Sequence, residues 1–115
     1  MNAPAYPAAV LSSCPPPITI QALVVVDGDG NVTSVRIDDQ DSPDPTRKIF
    51  IDAVRSTAAT WKFNSLVVDQ WKTDAHGKRQ FVSEEERPFS LGYEFHFQCR
   101  AGKADVGLSR SGSRT

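Results

Sequence analysis

No run of apolar residues in this chain is longer than Ala22 to Val26, and crossing a bilayer takes about 18 in a row. A membrane-spanning helix is therefore not expected. The chain also lacks an excess of either charge: thirteen Lys and Arg stand against fourteen Asp and Glu, a formal net charge of −1. That balance supplies no broad cationic field for nucleic acid or anionic lipid, and neither is expected as a partner. Cysteine is scarce. Cys14 and Cys99 form no CxxC or other metal-ligand spacing, so either one disulfide joins the ends of the domain or two inert thiols sit there.

Motifs for catalysis are missing too. Ser12, Ser13 and Ser90 stand in no nucleophile-elbow or base-paired setting, and Gly28-x-Gly30 lacks the third glycine and the helix that a phosphate loop requires. Asp27, Asp29, Asn31 and Asp38 fall at positions 1, 3, 5 and 12 of a calcium loop, but Val32 occupies the glycine position and strands flank it, so a β-turn is the reading. His76 and His96 have no second His or Cys at ligand spacing and read as solvated. Leu11-Ser12-Ser13-Cys14 imitates a lipoprotein box without the basic start or apolar core of a leader. Glu84-Glu85-Glu86 reads as a solvated guard before the last strand rather than a carboxylate pair. No enzyme, cofactor or metal is expected.

What is present is strand and helix periodicity. Residues 1–17 hold Pro4, Pro7, Pro15, Pro16 and Pro17 and predict an extended lead-in. Ile18 to Val26 is rich in β-branched residues and predicts a strand near the middle of a sheet, with Ile18, Ile20, Ala22, Val24 and Val26 on one face. Asp27-Gly28-Asp29-Gly30-Asn31 supplies a turn, and Val32 to Ile37 returns with Thr33, Val35 and Ile37 on one face. Asp44-Pro45, or Ser42-Pro43, caps a helix whose stripe is Phe50, Ala53, Val54, Ala58 and Trp61. That stripe reads as core, with Trp61 anchoring the helix end. Residues 66–87 carry Leu66-Val67-Val68, Trp71 and Phe81-Val82 around a His76-Gly77-Lys78 turn and predict a loose hairpin. In the final strand Phe89, Leu91, Tyr93, Phe95, Phe97 and Cys99 alternate with Ser90, Gly92, Glu94, His96 and Gln98. Residues 100–115 read as a disordered polar tail. The expected fold is α+β: an antiparallel sheet of three or slightly more strands with one main amphipathic helix on one face.

The ordered set Pro4-Ala5-Tyr6-Pro7, strand, Asp29-Gly30-Asn31-Val32, strand, Phe50-x2-Ala53-Val54-x6-Trp61-Lys62-Phe63 and final alternating strand resembles the TonB C-terminal domain family over residues 4–98. The resemblance implies a domain spanning 18–99 with an insertion at 66–87, and a core of Phe50, Val54, Trp61, Phe63, Leu91, Tyr93, Phe95 and Phe97. In that family the first and last strands are antiparallel neighbours, which brings Cys14 and Cys99 together and implies a disulfide in the oxidising periplasm.

The function implied by the resemblance is protein binding. An extended segment of an outer-membrane TonB-dependent transporter would add as a strand to the edge Ser90 to Gln98, with Ser90, Gly92, Glu94, His96 and Gln98 at the contact and Tyr6 and Pro7 also meeting the transporter. Force derived from the inner-membrane proton gradient would pass through that grip. A transducer of this kind has a membrane anchor and a linker, so the sequence is expected to be a domain of a longer chain tethered to the inner membrane, or a free-standing periplasmic scaffold or inhibitor that binds another protein. A homodimer through the sheet edge is a further expectation.

Overall fold

In the computed structural model the elements run α1 (Ala8–Leu11), β1 (Ile18–Val26), β2 (Val32–Ile37), α2 (Pro45–Ala58), β3 (Leu66–Thr73), β4 (Arg79–Arg87), β5 (Phe89–Arg100) and β6 (Lys103–Arg110). The structure describes residues 2–38, 41, 44–64 and 66–111, the side chains of 66–70 and 83–85 excepted. The Ser42-Pro43 cap, the side chains of Leu66, Val67, Val68, Glu84 and Glu85, and residues 112–115 therefore lie outside the described residues.

The β1–β2 turn is built by Asp27. One oxygen of its carboxylate accepts the backbone N–H groups of Asp29 and Asn31, each at 2.9 Å, and Gly30 takes a φ of +89°, a left-handed conformation that costs glycine nothing. Val35 and Ile37 point into the core, whereas Thr33 does not. Val25 pairs Ser34 and Val26 pairs Val32, so Thr33 is the unpaired residue of a β-bulge and turns outward.

Helix α2 starts where the sequence places it. The Asp44 carboxylate accepts the N–H of Thr46 at 3.0 Å and Pro45 opens the first turn. Phe50, Ile51, Val54 and Ala58 are buried from this helix, and Ala53 is only partly so. Trp61 lies beyond the helix, which ends at Ala58. The N–H of Trp61 bonds the carbonyl of Ala58 at 3.1 Å, a tight turn that swings the indole back under the helix end.

The sheet order is β2-β1-β5-β6, all antiparallel, so the sheet has four strands. Its inner face, Ile20, Ala22, Val24 and Val26 of β1 with Tyr93, Phe95 and Phe97 of β5, packs against α2 and Trp61. The larger of these side chains, Ile20, Val24, Val26, Phe95 and Phe97, each contribute roughly 1.5–3 kcal/mol on burial relative to exposure, before entropy is subtracted. The Trp61 ring stacks on Phe95 at 5.8 Å and meets Tyr93 edge-on at 5.1 Å. Phe63 meets Trp61 and Phe89 at 6.4 and 6.0 Å.

Two expectations are corrected. The tail from residue 100 is not structureless: Ala101 and Gly102 adopt φ of +51° and +78°, a two-residue turn of the kind that suits hairpins, and Lys103–Arg110 returns along β5. Val106 and Leu108 settle against the core from this strand. The lead-in is not uniformly extended either, because Ala8–Leu11 forms a helical turn after Pro7 and Val10 is buried.

Among the described residues β3 and β4 pair only with each other, in a separate two-stranded sheet. Pro88, without an N–H to donate, separates β4 from β5. The molecule is 71 Å long against 25 and 22 Å in its other dimensions, as a hairpin standing out from the body requires.

Candidate binding edge

The five outward residues of the final strand, Ser90, Gly92, Glu94, His96 and Gln98, do lie on one face. They do not lie on an edge. β5 is held between β1 and β6, with Glu94 opposite Gln21 on one side and Ser109 on the other. His96 sits within hydrogen-bonding distance of Thr19, Nδ1 to Oγ1 3.1 Å. The carbonyl of Gly92 accepts the N–H of Ser111 at 3.0 Å. The main-chain groups that a partner strand would have used on β5 are thus taken by β6.

Tyr6 is turned inward. Its ring packs edge-on against Phe50 at 5.4 Å and Phe97 at 6.2 Å, and Pro7 beside it is half-buried. The carbonyl of Asn2 accepts the Trp61 indole N–H at 3.0 Å. Residues 2–14 therefore form a strap over the open end of the core. The strap is locked by a Cys14–Cys99 disulfide whose Cα atoms are 5.3 Å apart.

Main-chain direction in β6 follows from its bond to β5. Since the Ser111 N–H reaches Gly92 and antiparallel residues alternate in direction, Ser109, Gly107, Asp105 and Lys103 face β5. The N–H and C=O groups of Ala104, Val106, Leu108 and Arg110 then point away from the sheet, where no further strand pairs with them among the described residues. The opposite edge is partly closed. On β2 the Arg55 guanidinium donates to the Val35 carbonyl at 2.9 Å, and Asn31 forms a bridge with Lys62 just past the helix.

Sequence reasoning missed Ala104, Val106, Leu108 and Arg110, although their alternation with Lys103, Asp105, Gly107 and Ser109 is legible once the turn at Ala101-Gly102 is seen. At the end of this strand the Arg110 guanidinium lies 5.7 Å from the Tyr93 ring centre. Burial pushes the Tyr93 phenol above its ordinary value of 10.0, and the charge of Arg110 partly opposes that rise.

No known family model, curated protein or solved structure matches this chain. The findings that bear on its setting are the Cys14–Cys99 disulfide and the absence, among the described residues, of a helix long and apolar enough to cross a membrane.

Proposed function

We propose that this chain is a periplasmic protein-binding domain that holds an extended segment of a partner by strand addition. The observation that carries the proposal is the open edge of β6, where four alternate residues, Ala104, Val106, Leu108 and Arg110, leave main-chain donors and acceptors that no strand meets among the described residues. Such an edge pairs with an extended peptide through the main chain, while alternate side chains set specificity. The disulfide suits an oxidising compartment. By its sequence resemblance to the TonB C-terminal domain, the partner is an outer-membrane transporter and the role is to couple it to the inner-membrane proton gradient.

One observation favours the second reading, a periplasmic scaffold or inhibitor for another protein: the edge that the resemblance assigns to the transporter, Ser90 to Gln98, is filled by the chain's own β6.

Proline substitution tests the strand-addition step. Val106→Pro and Leu108→Pro remove outward N–H groups and leave the β5 ladder whole, whereas Gly107→Pro and Ser109→Pro remove ladder donors and detach β6. A peptide like the N-terminal box of a TonB-dependent transporter is titrated calorimetrically against each variant while circular dichroism follows the fold. The expected result is folded Val106→Pro and Leu108→Pro variants that no longer bind. Parental affinity in both of these folded variants rules out the β6 edge.

A further inference from the structure

Four large apolar side chains stand exposed among the described residues, and three of them, Trp71, Phe81 and Val82 at 48%, 49% and 53%, lie together on the β3–β4 hairpin. Trp71 and Phe81 are cross-strand partners with ring centres 5.4 Å apart. Neither ring contacts an aromatic of the main core. An isolated two-stranded hairpin is marginal in water, and this one places its largest apolar groups where the domain does not cover them.

Charge is sorted along the same hairpin. Lys72, Lys78 and Arg79 sit at its distal end, and the Arg79 guanidinium lies 5.1 Å from the Trp71 ring centre. The one described carboxylate at that end, Asp74, is committed to the turn: it accepts the N–H groups of His76 at 2.8 Å and Lys78 at 2.9 Å, and the Gln80 amide at 3.1 Å. The acidic run 84–86 is at the root, paired in register with 67–69.

We infer that the distal end of the β3–β4 hairpin docks on an anionic lipid bilayer. Lys72, Lys78 and Arg79 meet the headgroups, and Trp71 and Phe81 enter the interfacial layer that aromatic side chains favour. A protein partner would be served by the aromatic pair alone. A net positive tip and a root whose sequence run 84–86 is acidic, with Arg87 its one cation, are the sorting that a negatively charged plane selects. The even balance of the whole chain, which argues against lipid when the sequence is read as one sum, conceals this local separation.

Sedimentation of the full chain with vesicles tests the inference, using phosphatidylcholine alone and phosphatidylcholine mixed with phosphatidylglycerol. The chain is expected to bind the mixed vesicles, more weakly as salt rises, with a blue shift of its tryptophan emission. Trp71→Ala and Phe81→Ala should each lower the partition coefficient at least about tenfold, and the double variant Lys78→Glu/Arg79→Glu should abolish binding. The main unfolding transition, which reports the sheet around Trp61, should be unchanged in all of them. Failure to bind mixed vesicles overturns the inference, as does equal binding to phosphatidylcholine or binding that survives all these variants. Self-association of the parent that Trp71→Ala removes, without vesicle binding, assigns the tip to a second copy of the chain instead.

Discussion

The carbonyl of Gly30 accepts the N–H of Phe63 at 2.9 Å, and through that bond two sequence motifs more than thirty residues apart meet. Asp29-Gly30-Asn31-Val32 closes the first hairpin, Trp61-Lys62-Phe63 follows the helix, and the Lys62 ammonium bonds the Asn31 side chain beside them. A Cβ on Gly30 would collide with the backbone oxygen of Phe63, and the φ of +89° is itself unfavourable for any other residue. Gly30→Ala should therefore cost about 2–4 kcal/mol. Gly77, also at positive φ but with open space around it, should lose only about 1 kcal/mol on the same change. Urea denaturation of the two variants compares them directly, and equal losses would mean that the Phe63 contact contributes nothing.

Periodicity made the inner parts of the fold legible. β1 and β5 alternate so regularly that their buried faces, Ile20 to Val26 and Tyr93 to Phe97, are read directly, and Asp44-Pro45 marks the start of α2. β6 was not legible because Lys103, Asp105, Gly107 and Ser109 depress its strand propensity and its turn, Ala101-Gly102, lacks the Asn-Gly signal. The candidate edge moved with it, from Ser90–Gln98 to β6. A strand called last in sequence is an edge only when nothing follows it, and the polar composition of 103–110 hid the element that does. The packing of Tyr6 was hidden for a different reason: an exposed and a core-packed tyrosine look alike in sequence, and only the contacts with Phe50 and Phe97 decide between them.

The two tryptophans should behave as opposites. Trp61 is buried against Tyr93 and Phe95 and donates its indole N–H to Asn2, so Trp61→Ala should cost about 3–5 kcal/mol, much of the stability of a domain this size. Trp71 is half-exposed on the projecting hairpin, and Trp71→Ala should leave the main unfolding transition nearly unmoved. Thermal melts followed at a wavelength that reports the sheet give the comparison, and a large loss at Trp71 would show that the hairpin supports the core.

Alkali should find Tyr93. Its folded-state pKa is raised above 10.0, first by burial, with Arg110 acting to lower it. The sign follows from linkage: the neutral phenol is preferred in the folded state, so the associated stability is whole below about pH 10 and is lost as pH rises through the higher folded value. Arg110→Ala takes away the opposing charge and should start alkaline unfolding at a lower pH than in the parent. Tyr93→Phe, which removes the ionisation, should delay it. Unfolding curves recorded at rising pH test both, and an onset unaffected by Tyr93→Phe would place the controlling group elsewhere.

Truncation after Gly102 separates the two edges on which a partner could add. Removing 103–115 deletes the open edge of β6 and at the same time uncovers Ser90, Gly92, Glu94, His96 and Gln98 on β5, whose outward main-chain groups β6 otherwise fills. The core should survive, since Val106 and Leu108 are only partly buried and the Cys14–Cys99 disulfide still holds the end of β5. Closing that loop of 85 residues constrains the unfolded chain by about 4 kcal/mol in the entropic account. If the partner adds to β6, the truncated domain should bind the transporter-type peptide at least about tenfold more weakly than the parent. Tighter binding after truncation would mean the reverse, that β6 competes with the partner for β5 and must be displaced before the peptide can pair.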